Sequence, residues 1–228
     1  MELPARLHRI PMALGQCYLW RDGDRATLID TGPPGSGGAV AAALAGLGLD
    51  RDAVVRIVLT HYHVDHSGSA AEIRGWAGAE VVAHVGDAPV VRGDRAEPEL
   101  DLLPAEQQLQ AALGLGAMAA APPCPVDREV VDGDLLDLDG GARVVHGPGH
   151  TPGSIALHLP ASRVLFTGDT VAESDGRVLL GPFNLDRAQA AGSFRMLTAL
   201  DVDLALVGHG EPVAGADLRR AELGPFAG

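Results

Sequence analysis

No lysine occurs in the 228 residues; all 17 basic residues are arginine, a compositional habit with no functional meaning of its own. Against them stand 30 acidic residues, for a formal charge of −13. This shortage of positive charge argues against tracking a phosphate backbone or adhering to anionic lipid, so neither nucleic acid nor membrane is an expected partner. A metal can still reverse the potential inside a pocket. Only Cys17 and Cys124 are present, too few for a disulfide scaffold and in keeping with a reducing, cytoplasmic setting. No apolar run approaches the roughly 20 residues of a membrane span. The opening MELPARLHRIPM lacks the apolar stretch of a signal peptide. The 30 glycines and 16 prolines are scattered, which excludes collagen-like and low-complexity readings.

What remains reads as one globular domain over residues 1–228. Residues 17–20 and 26–30 predict a hairpin across RDGD. Residues 39–49 and 70–77 predict helices, and 54–60 and 80–85 predict buried strands. The stretch 86–121 has no clean period, although 104–121 is Ala/Leu-rich enough for a helix. It is too apolar for a linker and predicts a lid or cap, with Leu113 and Met118 as candidates to face a substrate. Four short strands follow at 134–139, 142–147, 154–160 and 163–168. A helix is expected over 185–201, with Leu185, Ala188, Phe194, Leu197 and Leu200 on its apolar face, then a strand over 203–210 and a terminal helix over 212–223.

The chemistry concentrates where strands end. His61, His63, Asp65 and His66 lie in H-Y-H-V-D-H, directly after a buried strand. His61 and His63 share a face if the backbone is extended, and a following turn can return Asp65 and His66 to the same space. Imidazole and carboxylate at this density suit Zn²⁺ or Fe²⁺. His150 in GPGHTPGS, Asp169 in FTGDT and His209 in VGHG are three more strand-end donors, each beside glycine. Seven donors suffice for two metals sharing one carboxylate. Thr60, Ser67, Thr151 and Thr170 adjoin them as candidates to orient the rings.

T-H-Y-H-V-D-H-S-G, followed in order by GHTPGS, GDT and GHG, resembles the signature of metallo-β-lactamase-fold hydrolases, from about Tyr18 to Pro212. The resemblance implies an α/β fold (α+β in some schemes), a four-layer αββα sandwich of two similar halves. It implies two divalent ions per chain, zinc first, with iron or manganese as alternatives. His61, His63 and His150 would hold one, Asp65, His66 and His209 the other, and Asp169 would bridge. A metal-bridging hydroxide would attack the carbonyl of a small ester, lactone or thioester, with Asp65 and Asp169 as the catalytic carboxylates.

The aspartate-bridged pattern is similar to glyoxalase II and lactonases. Only 19 residues follow His209, too few for the helical domain with which glyoxalase II grips glutathione. Thr170, Val171 and Ala172 stand where homoserine-lactone-cleaving relatives commonly carry a tyrosine. A small-molecule substrate of unassigned identity is therefore expected, and nothing in the sequence sets the oligomeric state. Three alternatives stay open: a mononuclear-iron persulfide dioxygenase, a metallonuclease, and a metal-binding interaction protein without turnover.

Overall fold

The computed structural model describes residues 3–115 and 118–227. The chain divides into two compact units, Met1–Ala96 with Ala119–Val130, and Glu97–Met118 with Val131–Gly228.

The first unit opens with an antiparallel meander of β1 (Leu7–Pro11), β2 (Gln16–Asp22) and β3 (Arg25–Ile29). The β2–β3 turn is Gly23–Asp24, between the paired Asp22 and Arg25, with Gly23 at φ +66°. Helix α1 (Gly37–Gly46) then leads to β4 (Val54–Val58), parallel to β3. The short α2 (Val64–Ser67) and α3 (Ala70–Ala77) connect to β5 (Glu80–His84), parallel to β4. After α4 (Ala88–Val91), β6 (Arg128–Val130) pairs in parallel with β5 and completes a six-stranded sheet in chain order. Helix α3 packs on β4 and β5, as a crossover connection must if it is to bury its apolar stripe on the sheet. Leu19, Trp20, Leu28, Ile57 and Val81 are among the buried side chains of this sheet.

The second unit starts with α5 (Pro104–Leu113). Strands β7 (Leu135–Leu136), β8 (Ala142–His146), β9 (Ile155–Leu159) and β10 (Val164–Gly168) pair antiparallel in succession. A separate hairpin of β11 (Val171–Ser174) and β12 (Arg177–Leu180) precedes α6 (Arg187–Thr198). Strand β13 (Leu204–Val207) inserts parallel to β10, and β14 (Val213–Ala214) pairs antiparallel with β13 before α7 (Gly215–Leu218). Phe194 and Leu197 of α6 join Leu165, Ala205 and Val207 in the core of this unit.

Three expectations change. The helix expected over 104–121 ends at Leu113, because Gly114 turns left-handed at φ +66°; residues 116–117 of that expectation lie outside the described residues, and 118–121 are not helical. The expected terminal helix over 212–223 shrinks to α7, since Val213 and Ala214 pair with β13. On α6 the inward residues are Ala190, Ala191, Ser193, Phe194 and Leu197, while Ala188 is exposed and Leu185 precedes the helix; the Asp186 cap sets the phase that turns Ala188 outward. Of the segment 86–121, residues 86–96 and 119–121 fall in the first unit and 97–118 in the second, with Leu113 exposed and Met118 half-buried. Among the described residues no helix is long and apolar enough to cross a membrane.

Candidate metal centre

In the first unit the donors grow from the end of β4. Buried Leu59 and Thr60 carry the chain to His61. Thr60 donates its backbone N–H to Asp30 Oδ1 and its hydroxyl to Asp30 Oδ2, both at 2.8 Å. Asp30 directly follows β3, is buried, and sits at φ +61°, a region aspartate tolerates better than most residues. The same Oδ2 lies 2.8 Å from His66 Nδ1, while His61 Nδ1 lies 3.0 Å from Thr60 Oγ1.

Donor count then fixes both tautomers. An ionised carboxylate only accepts, and the single hydroxyl hydrogen of Thr60 is committed to Asp30. Nδ1 of His61 and Nδ1 of His66 must therefore each carry a hydrogen, which in a neutral ring leaves the lone pair on Nε2. Asp30 was absent from the sequence-derived donor set; its signal was a carboxylate at the end of an apolar strand, just before T-G-P-P-G.

The short α2 returns the chain as expected. His66 and Ser67 both donate backbone N–H to the His63 carbonyl at 2.9 Å, and Ser67 Oγ donates to the Tyr62 carbonyl at 2.7 Å, so Ser67 closes the turn. Asp87, a second carboxylate that the sequence did not single out, accepts from the Tyr62 N–H at 3.2 Å. Ring centroids of His61 and His66 lie 4.1 Å apart, and those of His61 and His63 4.8 Å apart, edge to face. Asp65 Oδ2 is 3.7 Å from His66 Nε2. His61 and His66 are buried, whereas His63 and Asp65 are half-buried.

In the second unit, parallel pairing places the C-terminal ends of β10 and β13 at one edge, and that brings Asp169 and His209 together. Asp169 Oδ2 is 3.2 Å from His209 Nε2 and 3.9 Å from His150 Nε2. His150 is carried by a loop pressed on α6. Gly149, at φ +126°, has no room for a Cβ because Ala190 occupies that space. The Asp186 N–H donates to the Gly149 carbonyl at 2.9 Å, and Leu185 N–H to the His150 carbonyl at 3.3 Å. Thr151 and Ser154 bond to each other, with Thr151 N–H on Ser154 Oγ at 3.0 Å and the hydroxyls 2.8 Å apart, so Thr151 stiffens the loop. Thr170 is buried and its carbonyl accepts from Gly181 N–H.

Both clusters offer imidazoles and carboxylates, a donor set suited to a borderline divalent cation such as zinc. Neither thiol belongs to it. Cys17 and Cys124 are free and buried; burial, then the charge of Asp30, pushes the Cys17 thiol far up, and burial raises Cys124 to about 11.

The metallo-beta-lactamase superfamily matches residues 13–209. The chain is 32% identical over 214 residues to the probable metallo-hydrolase YflN of Bacillus subtilis, covering 84% of this chain and 78% of that protein. It is 31% identical over 159 residues to a hydroxyacylglutathione hydrolase of Rhodospirillum rubrum, covering 68% of this chain but only 48%, about half, of that protein. A metallo-beta-lactamase family protein from Thermus thermophilus superposes with a TM-score of 0.71 at 29% identity, over 96% of this chain and 77% of that one. The chain belongs to the metallo-beta-lactamase superfamily, whose fold binds divalent metals.

Proposed function

We propose that the protein is a dinuclear metal-dependent hydrolase of a small ester, lactone or thioester, and that residues 1–228 form a single catalytic domain. His61, His63 and His150 would hold one ion, Asp65, His66 and His209 the other, and Asp169 both. Zinc is the first candidate, with iron or manganese as alternatives. The observation that carries the reading is the Asp30–Thr60 relay, which fixes Nε2 of His61 and His66 as lone-pair donors. A buried carboxylate that dictates two ring tautomers serves ligation directly.

When bound, such a pair of ions lowers the pKa of a water and polarises an acyl oxygen. The chain's own residues supply the rest. Asp169 brings negative charge beside two imidazoles and offsets the cations. Asp65 would help hold one ion and would orient the attacking water. The Rhodospirillum relative's name points to a thioester, and that bond class is part of the proposal; its glutathione moiety is not, given the half of its length that the chain spans.

The test combines elemental analysis with a panel of activated esters, thioesters and lactones assayed on zinc- and manganese-loaded protein. Two ions per chain and hydrolysis of at least one substrate are expected, with most turnover lost and the fold kept in Asp169→Asn, whose amide is uncharged and bridges poorly. Near wild-type activity and unchanged metal content in Asp169→Asn would remove the bridging role. Oxygen uptake with a persulfide by the iron form, without hydrolysis of any panel member, would replace the hydrolase reading by a dioxygenase.

A further inference from the structure

Residues 181–187 contribute no metal donor, yet they carry an unusual backbone. Phe183 follows Pro182 and has φ +64°, the pattern of a type II turn, whose corresponding position normally takes glycine or asparagine because a Cβ is strained there. A half-buried aromatic ring occupies it instead. Its N–H donates at 2.7 Å to Oε1 of Glu106, a carboxylate with 0% exposure on α5. Glu106 Oε2 accepts from the Leu103 N–H at 2.8 Å and from Arg187 Nη2 at 3.0 Å, and Arg187 also donates to the Asp101 carbonyl. Asn184 closes the turn by donating Nδ2 to the Gly181 carbonyl at 2.7 Å.

Both ends of this turn are bonded to the loops that carry metal donors. Gly181 N–H donates to the carbonyl of Thr170, next to Asp169, and Gly181 packs so closely on the Asp169 carbonyl that a Cβ would not fit. Leu185 N–H donates to the carbonyl of His150. Phe183 thus stands midway along a span from Asp169 to His150. The segments that Glu106 ties to it bring half-buried Leu102 and Leu103, and Leu185 lies at its far end.

We propose that Phe183 determines selectivity for substrates with an extended apolar acyl chain, and that Glu106 is the residue that positions it. The proposal rests on the hydrolase reading for its substrate class. Its basis is the retention of a large apolar side chain where the backbone favours glycine, held by a buried carboxylate beside two donor loops. A purely structural ring would not set the order of substrates.

The test compares zinc-loaded wild type with Phe183→Gly, Phe183→Asn and Phe183→Leu. Two readouts are needed: calorimetric binding of acetate and octanoate, and kinetics on acetyl and octanoyl thioesters. Glycine and asparagine both tolerate the positive φ, so the fold is expected to hold in at least one of them. Wild type should favour the octanoyl member. Phe183→Gly and Phe183→Asn should lose about tenfold or more of that preference, mainly through KM, while Phe183→Leu keeps most of it. Glu106→Gln keeps an acceptor for the Phe183 N–H but sets its amide nitrogen against the Leu103 N–H and Arg187, so it should lose part of the preference; a full wild-type preference in it would remove the positioning role of Glu106. An unchanged octanoate-to-acetate binding ratio in the glycine and asparagine variants, or no preference in wild type, would overturn the proposal. Wild type that binds octanoate selectively through Phe183 but hydrolyses no panel substrate would sustain this inference and refute the hydrolase reading.

Discussion

Replacing Asp30 by asparagine isolates the tautomer relay from the packing around it. Asparagine has nearly the same volume and also tolerates φ +61°, so the backbone is not the perturbed element. If its oxygen keeps the Thr60 N–H, its amide nitrogen faces the Thr60 hydroxyl and His66 Nδ1, both of which are donors in the native arrangement. The hydroxyl must then rotate to accept from the amide and donate to His61, and both imidazoles are driven to carry hydrogen on Nε2. If the amide flips, its nitrogen meets the Thr60 N–H instead. That flipped amide leaves the buried Thr60 N–H without an acceptor, at a cost of about 1–3 kcal/mol. For a chain of this size that corresponds to a fall of about 2–4 °C in the unfolding midpoint for each kcal/mol. Loss of the ring partner should weaken metal binding by about 10–100-fold. The assay is chelator competition for zinc, paired with thermal unfolding of the metal-free protein. Wild-type zinc affinity in a folded Asp30→Asn variant would refute the relay. A large drop in melting temperature with unchanged affinity would reduce Asp30 to a packing residue.

Two further outcomes follow from individual contacts. The Arg74 guanidinium, then the Val81 N–H, holds the Asp127 carboxyl below the usual carboxylate range. Its stabilising effect is therefore complete above the unfolded-state pKa and is lost as pH falls through the lowered folded value. Asp127→Asn should cost about 1 kcal/mol or less at neutral pH, because the pair is about a third exposed, and the gap from wild type should close in acid; a gap that persists in acid during urea titration would contradict the ion pair. Cys17 and Cys124 are both buried with raised thiol pKa values, so a thiol reagent at neutral pH should label neither in the folded protein and both in denaturant; rapid native labelling would show that the first unit opens locally.

The candidate donors stand out in the sequence because histidines and aspartates crowded at strand ends beside glycine have few structural uses. Asp30 was not, since its partners Thr60 and His66 lie 30 and 36 positions away and only strand pairing brings them close. The hairpin of β11 and β12 carried a usable signal in Asp175–Gly176, both at positive φ, but its strands are too short for a clear alternation. The error at 212–223 has the same origin: Val213 and Ala214 look helical by composition, and their pairing with β13 outweighs that preference. On α5, helix-forming residues run past the point where Gly114 ends the helix. Local chemistry was readable; the closures between distant segments were not.

The interleaving of the two units bears on synthesis. Residues 97–118 emerge before β6 has completed the first sheet, yet they belong with the chain that follows residue 130. Glu106 leaves the ribosome 77 residues ahead of Phe183 and 81 ahead of Arg187, the groups that satisfy its carboxylate. Until then α5 cannot bury that charge and must wait in water, so its docking is a late event with a long loop to close. A gene cut between residues 130 and 131 would strand α5 on the wrong fragment, and mixing the two pieces would restore the protein only if the first delivered that helix to the second.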